Sequence, residues 1–238
     1  CGPCARACPT GAVRVVNGLI CFDRSMCTGC NACVRACPTG AQTVYGESVS
    51  VDHILKRVEE DDVFYARSGG GLTLSGGEAL AQPDFALALL REAKARRIHA
   101  TIETCGHYPT DVLEEACRLL DALIFDVKCL DSERHKASTG VGNELILRNL
   151  HFVFEHFPDL PVLVRTPVIP GFNDTEEDIL SIREMLPKRS TVRYEALTYH
   201  RMGQPKYGYL GRPYPLEGVK ADEAFMTRLN AMLKAYQQ

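Results

Sequence analysis

Beyond residue 45 the chain alternates short apolar runs with longer stretches in which apolar residues recur at helical spacing. The short runs predict strands at Gly71–Ser75, His99–Thr104, Ala122–Val127, Pro161–Val168 and Thr191–Leu197. The longer stretches predict helices at Val51–Asp61, Pro83–Ala95, Pro109–Leu120, Asn143–Phe157, Thr175–Leu186 and Ala221–Tyr236. Pro83 and Pro109 stand where a first helical turn accepts proline. Phe85, Leu87, Leu89 and Leu90 give the second of these helices the apolar content of a core-facing element. Strands separated by helices make βαβ units, and so an α/β fold with a parallel sheet. A closed eight-stranded barrel takes roughly 250 residues, more than follow residue 45. A partial barrel or an open doubly wound sheet is therefore expected. In both, ligand chemistry collects at the C-terminal ends of the strands.

The residues at those ends are polar. The first strand runs into Gly76, Gly77 and Glu78, where two glycines let a ligand approach the backbone. The second delivers Glu103 and Thr104, and the third Asp126 followed by Lys128. The fourth carries Arg165, and the fifth leads to Tyr199 and His200. Taken singly, these are ordinary turns, caps and surface charges. Gathered at one end of successive strands, they suit a zwitterionic ligand bearing both an amine and a carboxylate.

Composition adds a core and removes some partners. Of 238 residues, 45% are hydrophobic and 24% charged, which is ordinary for a globular protein with a sizeable interior. The net charge of -3 argues against nucleic-acid or membrane-surface binding driven by bulk charge. No apolar run approaches the roughly 20 residues of a membrane span, and no signal-peptide pattern opens the chain. A cytoplasmic protein is expected, with neither nucleic acid nor membrane as a partner.

Cysteine changes the picture most. Eight of the 11 cysteines fall in the first 37 residues, at spacings that indicate metal ligation in a reducing compartment. Cys27, Cys30, Cys33 and Cys37, followed by Pro38, form the C-x2-C-x2-C-x3-C-P run of bacterial ferredoxins. Cys1, Cys4 and Cys8, followed by Pro9, repeat most of it at an offset of 29, with nine identities in the twelve positions Cys1–Ala12. In two-cluster ferredoxins the last cysteine of each run ligates the other cluster. One 4Fe-4S cluster is therefore expected on Cys27, Cys30, Cys33 and Cys8, and a second on Cys1, Cys4 and Cys37. The partner of Cys27 would precede Cys1, so the sequence is expected to be truncated at its N-terminus. Cys21 fits neither run. Zinc is the competing ligand, and the doubled spacing favours iron–sulfur.

The order of motifs then carries a resemblance. After the cysteine block come SGGGLTLSGGE (Ser68–Glu78), IETCG (Ile102–Gly106), FDVK (Phe125–Lys128) and STG (Ser138–Gly140). NELILRNL (Asn143–Leu150), VRTPVIPGFND (Val164–Asp174) and YHRMGQPKY (Tyr199–Tyr207) complete it. Across essentially the whole chain this resembles the glycyl radical enzyme activating enzymes, a branch of the radical S-adenosylmethionine superfamily, in the form carrying a two-cluster ferredoxin insert. The resemblance implies a partial (β/α)6 barrel at 46–238, its first strand missing here, and a ferredoxin-like insert at 1–45. It implies an oxidoreductase that reductively cleaves S-adenosylmethionine to a 5′-deoxyadenosyl radical. That radical takes a hydrogen atom from a backbone glycine in the C-terminal loop of a partner glycyl radical enzyme, with a flavodoxin or ferredoxin-type reductant as electron source. Gly76, Gly77 and Glu78 would contact the methionyl amine. Glu103, Thr104 and Asp126 would contact the ligand and a possible monovalent cation, although the family often has Asp where Glu103 stands. Lys128, Arg165 and His200 would line the cosubstrate and radical site. The family's C-x3-C-x2-C loop for a third, catalytic 4Fe-4S cluster is not in these residues and is expected upstream of Cys1.

Two other functions fit the residues. One is a radical S-adenosylmethionine enzyme acting on a small molecule or peptide. The other is a ferredoxin-type electron carrier joined to a non-catalytic barrel. Cys105, Cys117 and Cys129 are expected to be structural thiols. Arg91, Lys94, Arg96 and Arg97 are expected to form a solvated helix face. Ser68–Gly71 lacks the Gly-Lys-Ser/Thr of a phosphate loop.

Overall fold

The computed structural model describes residues 1–235, which fall into two compact units. The first comprises Cys1–Val49 with His200–Val219, and the second Ser50–Tyr199 with the chain from Lys220 onward.

The internal repeat of the sequence is also a repeat of backbone geometry. Gly2 and Asn31 sit at equivalent positions, both with positive φ (96° and 58°), and each precedes a short helix, Pro3–Ala7 and Ala32–Arg35. The Cys8 amide bonds the Ala5 carbonyl, as the Cys37 amide bonds that of Val34. The halves diverge after Ala12. There the first continues into an antiparallel hairpin, β1 (Val13–Val16) and β2 (Leu19–Phe22). Asn17 and Gly18, both at positive φ, turn it, as the right-handed twist of the paired strands requires. The buried apolar residues of this unit are few: Cys4, Ala12 and Val13.

The second unit holds a parallel sheet in sequential order: β3 (Gly71–Leu74), β4 (His99–Thr104), β5 (Ala122–Asp126), β6 (Val162–Val168) and β7 (Val192–Thr198). These five strands are the ones expected, displaced by at most a residue or so at their ends. The sheet and its covering helices are those of a partial barrel. One face is a continuous apolar surface, with Ala100, Ile102, Leu123, Phe125, Val162 and Val164 buried. Against it lie the helices Pro83–Ala95, Thr110–Cys117, Glu144–His156 and Glu176–Met185, which bury Leu90, Leu113, Leu150 and Ile179 completely. Each such side chain stabilises the fold by roughly 1.5–3 kcal/mol relative to exposure.

Alternation along the strands sends the intervening residues to the opposite face. Glu103 aligns with Ile124, and Asp126 with Arg165, which aligns with Glu195. That face therefore carries Glu103, Asp126, Arg165 and Glu195 alongside Ile124 and Leu163.

Beyond residue 45, three helices of the described residues were not foreseen: Asp62–Ser68, Ser132–Thr139 and Gln204–Leu210. The last helix runs Glu223–Ala235, and the Tyr236 end of the expectation lies outside the described residues. The basic stretch near residue 94 is solvent-exposed at Arg91, Lys94 and Arg97, as expected, and it is paired with neighbouring acids and carbonyls. Arg96 pairs with Glu92, Glu59 and Asp52, Arg91 with Glu115, and Lys94 bonds the Arg118 carbonyl. Among the described residues no helix is long and apolar enough to cross a membrane.

Candidate functional site

Most of the expected strand-end residues meet in one pocket of about 90 Å³, lined by Ser75, Gly76, Gly77, Glu78, Glu103, Thr104, Cys105, Asp126 and Lys128; Arg165, Tyr199 and His200 are not among its lining. Gly76 takes φ 130°, which a side chain would resist, as the chain leaves β3. This turn brings Glu78 back over the end of β4. There its carboxylate accepts the Thr104 hydroxyl at 2.6 Å and the Cys105 amide at 2.9 Å. The Tyr108 hydroxyl lies 2.9 Å from Thr104 Oγ1. A carboxylate only accepts, so Thr104 gives its single proton to Glu78, and Tyr108 donates to Thr104. The result is a directed chain of hydroxyls that fixes the rotamer of Glu78.

Opposite charges fill the floor. Arg165 hydrogen-bonds Glu103 and lies 3.6 Å from Asp126 Oδ1, and Lys128 Nζ lies 3.7 Å from Asp126 Oδ2. Both Asp126 contacts are too long for hydrogen bonds, and Asp126 Oδ1 and Arg165 Nε are buried with no hydrogen-bond partner. Burial raises the Asp126 carboxyl above the ordinary aspartate range, against the pull of Lys128 and Arg165. Polar atoms buried without partners are costly, and Asp126 lines the pocket while Arg165 lies beside Asp126 and Glu103. They fit a ligand that brings both an amine and a carboxylate. Glu103 is already neutralised by Arg165, the position where the resemblance implies a cation contact.

Buried asparagines hold this end of the sheet. Asn149 Nδ2 donates to the Gly106 and Tyr108 carbonyls at 2.8 and 2.9 Å. Asn143 does the same for Cys129 and Leu130, and Asn173 for Lys128 and Pro167. Gly106 has no alternative: a Cβ there would stand 2.1 Å from the Phe125 ring. Asn149 and Asn143 belong to NELILRNL, but their tethering role is visible only in three dimensions. Cys105 departs from expectation. Cys117 and Cys129 are buried, whereas Cys105 lines the pocket, its thiol raised by burial and by the adjacent Glu78.

His200 lies in the segment that packs within the first unit, where its Nδ1 faces the Met202 amide at 3.4 Å. It is not among the residues lining the strand-end pocket.

The first unit holds a larger cavity, about 660 Å³, whose lining includes Cys8, Cys27, Cys30 and Cys33. These are the four cysteines expected on one cluster. Cys8, from the first run, faces the same cavity as three cysteines of the second. The donors also suit cluster thiolates. The Thr10 hydroxyl and the Val13 amide hold the Cys8 thiol down to about 7, and the Gln42 amide and Thr39 hydroxyl do the same for Cys37. Hydrogen bonds to sulfur both favour the ligating thiolate and tune a cluster's potential. Tyr45 and Tyr209 stack at 5.2 Å along the wall of the same cavity. Among the described residues no three His, Cys, Asp or Glu side chains form a group suited to a single metal ion. Cys1, Cys4 and Cys37 are exposed, buried and half-buried respectively.

Comparison with known proteins identifies the family. The Radical SAM superfamily description fits residues 25–182, and that of the 4Fe-4S dicluster domain residues 1–41. The (2S)-3-sulfopropanediol sulfolyase activating enzyme of Bilophila wadsworthia (strain 3_1_6) is 81% identical over 238 residues, covering 100% of this chain and 79% of that one. The isethionate sulfite-lyase activating enzyme of Oleidesulfovibrio alaskensis is 48% identical, covering 99% and 76%. Among solved structures, a domain of pyruvate-formate lyase-activating enzyme from Bacteroides vulgatus superposes with a TM-score of 0.56 at 28% identity, over 70% of this chain and 94% of that one. Streptococcus suis SuiB gives 0.56 at 16% identity over 81% of this chain and 41% of that one, a likeness of fold alone.

Proposed function

The chain belongs to the glycyl radical enzyme activating enzymes of the radical S-adenosylmethionine superfamily, and from that premise we propose that it activates a sulfolyase acting on a sulfonated propanediol. The observation that carries this choice is 81% identity along the whole chain to an activating enzyme of that name, against 48% to one for isethionate sulfite-lyase. Both named partners release sulfur from a sulfonate, so the alternative lies within the same chemistry.

S-adenosylmethionine and iron–sulfur clusters supply, when bound, the one-electron chemistry by which such an oxidoreductase takes a hydrogen atom from its partner's glycine. The chain's own residues position that chemistry. Glu78, held by Thr104 and Cys105, receives the methionyl amine beside the Gly76–Gly77 backbone. Lys128 and Arg165 receive the carboxylate, and Asp126 balances their charge. Residues 1–45 form the cluster insert, with Cys8, Cys27, Cys30 and Cys33 on one cluster and Cys1, Cys4 and Cys37 on the other. Residues 46–238 form the barrel. A flavodoxin or ferredoxin-type protein in the cytoplasm supplies the electron.

The test is made on the full-length, anaerobically reconstituted protein, which carries the C-x3-C-x2-C loop, given reductant, S-adenosylmethionine and each candidate lyase in turn. Deoxyadenosine together with a glycyl EPR doublet is expected on the sulfopropanediol lyase. A doublet on the isethionate lyase alone would move the assignment to that partner. Deoxyadenosine without any protein radical would favour a small-molecule or peptide substrate.

A further inference from the structure

Charge is divided unevenly between the two units. The first contains seven Lys and Arg residues against three Asp and Glu, leaving 20 against 27 for the rest of the chain. Every one of those seven cations is exposed. A chain that is acidic overall thus carries its cysteine cluster sites in a cationic unit.

The hairpin concentrates this feature. Arg14 on β1 stands opposite Cys21 on β2, its side chain 61% exposed although paired with Asp23 at 3.4 Å. Arg24 lies over the Phe22 ring, 4.5 Å from its centroid. Phe22 and Arg24 line the cavity of Cys8, Cys27, Cys30 and Cys33. The same two residues line a second, open cavity of about 560 Å³ together with Arg14, Val16 and Cys21. One wall therefore separates the groove from the cluster site. Beside the groove the hairpin exposes Val15, Val16 and Leu19, the last at 71%. About half or more of each of these aliphatic side chains faces solvent. A small apolar patch rimmed by arginines is how a transient interface is built.

We propose that this hairpin face, with Arg14 and Arg24 at its rim, is the docking surface for an acidic one-electron donor protein. The donor loses one electron and the cluster on Cys8, Cys27, Cys30 and Cys33 gains it, with no bond made or broken. The proposal rests on the activating-enzyme reading, which requires an external reductant. Charge complementarity selects the partner. Thiolate-bound clusters are anionic and would repel an acidic protein, whereas the exposed guanidinium groups meet it first and steer it to this unit. Redox encounters of this kind bury little surface, which matches the size of the hairpin.

The experiment uses the anaerobically reconstituted holoprotein and follows bleaching of cluster absorbance in a stopped-flow instrument. Reduced flavodoxin is the donor, and photoreduced deazaflavin, small and uncharged, is the control. Arg14→Glu/Arg24→Glu should slow reduction by flavodoxin about tenfold at low ionic strength, and the difference should shrink as salt screens it. Reduction by deazaflavin and the deoxyadenosine it supports should be unchanged. Leu19→Asp, at the exposed tip, should weaken flavodoxin reduction independently and needs no change at the arginines. Unaltered flavodoxin rates in both variants overturn the proposal. So does a loss of glycyl radical with deazaflavin, which would assign the face to the lyase. If the parent protein makes no deoxyadenosine with either donor, it is the activating-enzyme reading that fails.

Discussion

Single side chains at the strand ends divide into those that touch the ligand and those that aim them. Tyr108 is of the second kind. Its hydroxyl acts on Glu78 through Thr104, and removing one neutral hydrogen bond costs about 1 kcal/mol. Tyr108→Phe should therefore raise the dissociation constant for S-adenosylmethionine about fivefold and leave kcat nearly untouched, as equilibrium binding and deoxyadenosine kinetics would separately show. Asp126 makes the opposite bargain. Its carboxyl is raised by burial, so the folded state holds the proton more tightly than the unfolded chain. It contributes stability below the ordinary aspartate pKa of about 3.9 and loses it as pH rises through the raised value. Asp126→Asn, permanently neutral, should melt at a higher temperature than the parent at pH 8. The gap should narrow towards pH 5, and S-adenosylmethionine binding should weaken throughout. Equal melting temperatures at pH 8 would show that Lys128 and Arg165 already compensate the charge. The pocket-lining residues were legible in the sequence because strand ends are where such folds gather polar groups. Tyr108 and Asn149 were not, since their roles come from contacts formed only on folding.

Elements follow the same division. The five parallel strands could be read from apolar runs because their faces pack on helices with apolar stripes of their own. The helix Ser132–Thr139 has no such stripe, burying His135 among polar neighbours, and it escaped the pattern. The hairpin escaped because Val15, Val16 and Leu19 are exposed and only Val13 is buried, although Asn17–Gly18 between alternating residues signals it. Loop geometry at the sheet end depends on single fits. A methyl group on Gly106 would collide with the Phe125 ring, so Gly106→Ala should cost about 1–3 kcal/mol and lower the melting temperature. Asn149→Leu, which strands two buried carbonyls, should cost a similar amount. Thermal unfolding followed by circular dichroism would measure both, and an unchanged transition in either would remove that contact from the account.

The two units differ in what holds them together. The barrel unit has a broad apolar core, from Leu55 to Leu233. The cysteine unit buries only Cys4, Ala12 and Val13 among apolar residues, too little to fold such a short segment unaided. Metal ligation must supply the difference. Chelation should therefore abolish hydrogen-exchange protection in Cys1–Val49 while β4, β5 and β6 keep theirs, and protection surviving chelation would show a hidden core. The shared cavity gives this dependence a further form. Cys8 sits in the first run and faces the cysteines of the second, so with the proposed ligands each half of the repeat would grip a cluster that the other half also holds. Oxygen that destroys one cluster would release a cysteine needed to keep both halves in place. Damage would then be all-or-none: the unit would not fade through partly competent states but would come undone in one step, and iron supply would decide how many copies are in service at all.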